Sequence, residues 1–199
     1  NVYIVRILKL PFDISLHFYF FFFVGVIITG ILKMFFYSSV GAGFLGTLGS
    51  SALLYVSIHW IILGNTINIP LLYIQGLLLG FGASMTLVSG SMATLLDGDL
   101  KEAAQRSQTM HTIRNFSAAM LIPIIAYTIK NHIQKGTQSI YAENITDKMI
   151  YLKKLQDVAI DADHQIFLLM IIFNMVMFVS SIIQMILGKG RRITPPRES

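Results

Sequence analysis

The stretch Phe18-Tyr-Phe-Phe-Phe-Phe-Val-Gly-Val-Ile-Ile-Thr-Gly-Ile-Leu-Lys-Met-Phe-Phe-Tyr37 decides the class of fold. Its single charge, Lys33, lies near one end. An α-helix rises 1.5 Å per residue, so about 20 apolar residues cross a hydrocarbon core of about 30 Å. Four more stretches read the same way: 40–63, 67–96, 112–129 and 166–187. The second is rich in small residues (Gly41, Gly43, Gly46, Gly49, Ser50, Ser51), the third opens with Pro70 in its first turn, and the fourth contains Pro123. Proline is tolerated in a first turn because the amide it lacks has no helical partner there. The expectation is an all-α integral membrane protein with five transmembrane helices.

Composition agrees. Of 199 residues, 54% are hydrophobic and 13% charged, and the mean hydropathy is +0.67. A soluble domain carries about 25% charged residues, so there is too little polar surface here to cover a water-exposed globule. Disordered, fibrous and disulfide-framework classes are excluded, and zero cysteines removes thiol catalysis and thiolate metal sites. The net charge of +5 does not point to nucleic acid. Four positive charges (Lys189, Arg191, Arg192, Arg197) fall in the last eleven residues, where a cytosolic anchor is expected.

The chain divides accordingly. Residues 1–14 read as the end of a preceding element, outside the cell. They lack the basic region, apolar run and cleavage site of a signal peptide, so the chain reads as a fragment. Residues 15–129 hold four transmembrane helices, with a turn at Gly64-Asn-Thr66 and a charged break at Asp97-Gly-Asp-Leu-Lys-Glu102. Residues 130–164 read as an outer loop with a short surface helix, since Leu152, Leu155 and Ala159 fall at helical spacing. The last transmembrane helix occupies 165–188, with Asp163 expected to cap it. The tail, 189–199, belongs in the cytoplasm by the positive-inside rule, and the protein in the cell membrane.

No enzyme motif is present: there is no phosphate-binding glycine loop, metal-ligand set or nucleophile turn. Neither catalytic residues nor a cofactor are expected. The five histidines are scattered, and Asn144-Ile-Thr146 matches a glycosylation sequon on the outer side. The informative residues are polar ones inside spans, because a charge at the membrane centre costs about 2.5–3.5 kcal/mol. Gln75 either binds a substrate or hydrogen-bonds a neighbouring helix beside a close crossing at Gly76 and Gly80. Asn174 faces either a pore or another helix. His59 is either proton-sensitive or, with Trp60, an interfacial anchor. His111 and Arg114, one turn apart at the inner end of the fourth span, are candidates for an inner gate. Lys33 reads as an interfacial anchor, and the ten methionines as apolar filler or an adaptable pocket wall.

The order of these features resembles a known family. A small-residue span is followed by Tyr73-Ile-Gln-Gly-Leu-Leu-Leu-Gly-Phe-Gly82, and then by Ala103-Ala-Gln-Arg-Ser-Gln-Thr-Met-His-Thr-Ile-Arg-Asn115 running into a span. Ala162-Asp-His-Gln-Ile-Phe167 opens the last one. This is similar to the C-terminal part of the 14-helix drug:proton antiporter branch of the major facilitator superfamily, over roughly residues 18–192. Two departures stand out. Where the branch has glycines after the arginine, this chain has Phe116-Ser-Ala-Ala119, and the loop motif expected after Gly30 lacks its acid and arginines. The resemblance implies a partial transporter bundle that exports small amphipathic compounds in exchange for protons, together with a missing N-terminal half. A stand-alone membrane scaffold, binding partner helices through the glycine faces 41–49 and 76–82, is the alternative.

Overall fold

The computed structural model describes residues 10–63, 68–96, 100–142 and 147–187. Four helices make up these residues: α1 (Phe12–Leu63), α2 (Ile69–Leu96), α3 (Ala103–Ala142) and α4 (Lys148–Leu187), with a 3-10 turn at Leu100–Glu102 leading into α3. All four are long and apolar enough to cross a membrane. Residues 1–9, the Gly64–Thr66 turn, Asp97 to Asp99, the sequon at Asn144 and the basic tail lie outside the described residues.

The stretches 18–37 and 40–63 belong to one helix, α1, which is interrupted at Gly41. There the backbone takes φ 78° and ψ 172°, a combination open essentially to glycine alone. The interruption reverses the chain. The rings of Phe18 and Trp60 lie 6.4 Å apart, whereas a straight helix would separate those residues by about 63 Å. α1 is therefore a hairpin, with arms at 12–40 and 42–63.

α2 packs against both arms. Along the first, Gly76 meets Phe18, Gly80 meets Phe22 and Lys33 reaches Ser84, so the two run parallel. Along the second, Trp60 meets Gln75 and Gly49 meets Met85, so the two run antiparallel. α4 is also antiparallel to the second arm, with Phe167 at Trp60, Asn174 at Ser57 and Met185 at Gly43. α3 starts beside the end of α2, where Arg106 reaches Leu95. It finishes against α4, with Gly136 on Val158 and Tyr141 beside Tyr151.

Small residues set these distances. A Cβ at Gly49 would lie 2.7 Å from the Met85 Cβ, and one at Gly43 would lie 2.6 Å from the Met185 backbone nitrogen. In a membrane, helices associate by such packing and by hydrogen bonds across the seam, since lipid is as apolar as leucine. The Thr29 hydroxyl supplies one bond, lying 3.0 Å from the Gly25 carbonyl of its own helix and 3.1 Å from the Phe81 carbonyl of α2.

The expected outer loop, 130–164, is largely helical. α3 continues to Ala142 and α4 opens at Lys148, so the expected surface helix is the first part of α4. No glycine or proline lies between Lys148 and Gln165 to end it. Asp163 consequently sits inside α4 and caps nothing. Asp147 is the cap, its Oδ1 accepting the Met149 amide at 2.8 Å. The middle of α3 is uncovered, with Ile113, Phe116, Met120, Ile122 and Tyr127 at least half exposed.

Candidate functional site

Polar side chains cluster at two ends of the helix bundle and in one cleft, with others such as Thr29 and Lys33 along the seam between α1 and α2. At the first end, Gln75 is 2% exposed. Its Oε1 accepts from Trp60 Nε1 at 2.6 Å, and its amide nitrogen donates to His59 Nδ1 at 2.9 Å. Trp60 packs edge-on to Phe167 of α4, with centroids 5.1 Å apart. The amide thus clamps α2 to the second arm of α1 and, through Trp60, to α4. Of the two readings of Gln75, the geometry matches the interhelical bond, and His59 and Trp60 form its other half. Gln75→Leu removes the acceptor of the indole N–H and the donor to the imidazole nitrogen, at a cost of about 2 kcal/mol. Denaturation of the bilayer-reconstituted chain measures it, with a shift in the emission of Trp60, the single tryptophan.

Asn174 is 5% exposed, and its Nδ2 donates to Ser57 Oγ at 3.0 Å. Ser57 in turn donates to the Leu53 carbonyl at 2.8 Å. Asn174 therefore faces the second arm of α1, as the helix-packing reading requires. Gly76 and Gly80 lie against the carbonyls of Phe18 and Phe22, where α1 and α2 cross.

His111 and Arg114 are paired, with Nη2 3.2 Å from His111 Nδ1, but both are exposed on α3. Among the described residues no carboxylate reaches Arg114. The arginine that joins helices is Arg106. Its Nη1 lies 3.5 Å from Glu102, and its Nη2 donates to the Leu95 carbonyl at 3.3 Å. A cation there also complements the negative end of α2. The i,i+4 spacing of Glu102 and Arg106 signals their local pair in the sequence, but not the contact with Leu95.

A cleft of about 560 Å³ opens between α2 and α4. Thr86, Ser89, Gly90 and Thr94 line it from α2, and Met177, Ser180, Ser181 and Gln184 from α4. Gly46 of the second arm of α1 packs against one residue of each wall, since a Cβ there would meet the hydroxyls of Ser181 at 2.7 Å and Ser89 at 3.1 Å. Among the described residues no charged side chain lines it. Thr86, Ser89 and Thr94 donate their hydroxyl protons to helix carbonyls at 2.9, 3.1 and 3.0 Å. Their oxygens remain as acceptors, so this wall suits a ligand that carries hydrogen-bond donors on an apolar body. A second cleft, of about 520 Å³, adjoins the first at Thr94 and is walled by Glu102, Arg106 and Met110. No group of three histidine, aspartate or glutamate side chains able to hold a metal occurs among the described residues.

Comparison with known families, curated proteins and solved structures gives no match to this chain. What the structure itself defines is an all-helical protein whose helices are of membrane-spanning length and apolarity.

Proposed function

We propose that this chain is the C-terminal part of a major-facilitator-type transporter, exporting amphipathic organic compounds in exchange for protons. With the arms of α1 counted separately, it crosses the cell membrane five times and leaves the basic tail in the cytoplasm. The observation that carries the reading is the uncharged, hydroxyl-lined cleft between α2 and α4. It offers acceptors and apolar contact to an amphipathic cargo, and the adjoining cleft beside Arg106 leads to it from the cytoplasmic side. Transporters of this type rock two bundles about a site near the midplane. The uncovered middle of α3 offers apolar surface to the second bundle, the N-terminal half.

The competing scaffold reading needs glycine faces free for partners. Gly43, Gly46, Gly49, Gly76, Gly80 and Gly82 instead pack on this chain's own helices, which favours transport. Ethidium movement driven by a pH gradient into proteoliposomes of the complete protein tests the reading. Ser180→Trp, which fills the cleft from its exposed rim, is expected to lower the initial rate about tenfold while leaving the fold intact, a loss of about 1.4 kcal/mol in transition-state terms. Unchanged uptake in that variant would remove the cleft from the path, and absence of gradient-driven uptake in the wild type would remove the transport reading.

A further inference from the structure

Lys33, read from the sequence as an interfacial anchor, reaches across to α2 in the structure. Its Nζ donates to the Ser84 carbonyl of α2 at 2.5 Å, and the residue is only partly exposed. Ser84 lies fifteen residues from Ile69 and twelve from Leu96, about 22 and 18 Å along the axis. The ammonium is therefore held near the mid-depth of α2, where an ionisable side chain is costly and calls for a functional reason. Among the described residues its one partner is a neutral carbonyl.

Among the described residues no countercharge faces it. α2 contains no charged residue, and its one titratable group, Tyr73, stacks on Phe21 toward the opposite end. In α1 the other titratable groups nearby in sequence order are Tyr37, one turn on, and then Tyr55 and His59, the latter held by Gln75. α4 carries no charge from Gln165 to Leu187. Tyr37 is 7% exposed, and its buried hydroxyl has no hydrogen-bond partner among the described residues. Residues four apart on a helix share a face, with Cβ atoms about 5–6 Å apart.

We propose that Lys33 is the proton-binding site of this half of the protein, switching between the Ser84 carbonyl when protonated and the Tyr37 hydroxyl when neutral. The chemistry is asymmetric. An ammonium only donates and suits the carbonyl, whereas a neutral amine exposes a lone pair that the carbonyl cannot satisfy and the phenol O–H can. Loss of the proton would release the first arm of α1 from α2. The opposite face of α2, at Thr86, Ser89 and Gly90, lines the cleft, so one helix would carry the proton state to the cargo site.

The proposal rests on the transport reading for its purpose, yet it is tested without cargo, so either can fail alone. Among the described residues nothing packs within 4 Å of where a Cβ would be at Gly30, on the first arm, or at Gly90, on α2, beyond the local helix backbone. The chain has no native cysteine, so spin labels at Gly30→Cys and Gly90→Cys report the separation of the two helices in nanodiscs. The distance distribution is expected to change between pH 5 and pH 10. Lys33→Met should abolish that change, and Tyr37→Phe should diminish it. Lys33→Arg, which keeps its charge throughout, should hold the pH 5 distribution at every pH. Trp60 emission checks the fold of each variant. No change in the wild-type background, a change that survives Lys33→Met, or a wild-type response in Lys33→Arg would each overturn the assignment.

Discussion

Gly80→Val is expected to be the most damaging single substitution in the chain, costing at least about 3 kcal/mol. A Cβ at Gly80 would run into the backbone carbonyl of Phe22, in contact with the first arm of α1. A side-chain neighbour could rotate away, but a helical carbonyl cannot, so the arm must move bodily from α2. That movement also pulls apart the Thr29 contact with Phe81 and the Lys33 contact with Ser84 on the same seam. Reversible denaturation of the reconstituted chain measures the loss. Gly30→Ala serves as the control. Nothing lies near its Cβ, and alanine favours a helix over glycine by about 1 kcal/mol, so that variant should be neutral or slightly stabilised. Equal destabilisation by both would mean that the crossing at Gly80 is not what holds the arms to α2.

Gly41→Ala should cost about 3 kcal/mol, by a different route. The strain is local, because alanine is a poor occupant of φ 78° and ψ 172° but a good occupant of a helix. The substitution therefore penalises the reversal and favours a continuous α1. A straight helix of 52 residues would be about 78 Å long, more than twice the thickness of a hydrocarbon core of about 30 Å. The variant is expected to insert poorly, and to lose the pairing of Phe18 with Trp60. Cysteines placed at Phe18 and Trp60 report it, cross-linking readily in the parent and weakly beside Gly41→Ala. Undiminished cross-linking would show that the hairpin is held by its contacts alone.

The polar residues show how much of the candidate site was legible. That Gln75 and Asn174 lie inside apolar spans was plain from sequence, and so was their need for partners. Which partners they have was not, because Trp60 and Ser57 lie 15 and 117 residues away along the chain. The same motif that drew attention to Arg114 contains Arg106. Only the folded arrangement, which brings α3 to the end of α2, distinguishes the arginine that joins two helices from the one left on an exposed face. The cleft left no mark in the sequence. Its serines and threonines look like those that close helix seams elsewhere in the chain, and the difference is made by α4 standing off from α2 above Gly46.

By itself the sequence determined that this protein is helical and apolar enough for a membrane, and where its charged breaks fall. Hydrophobic length and helix periodicity are local properties, and each stretch expresses them whatever its neighbours do. It also marked the glycines of α2 as a close crossing, since small residues four apart make one smooth helix face. The sequence already separated 18–37 from 40–63, but only the tertiary structure decided that the reversal turns on Gly41, that 130–142 and 148–164 extend helices instead of forming a loop, and that Lys33 reaches the middle of α2. Each depends on a distance between residues far apart in the chain. Such distances are set by the registers that small-residue packing and interhelical hydrogen bonds allow, and a pattern read along one strand of sequence does not contain them.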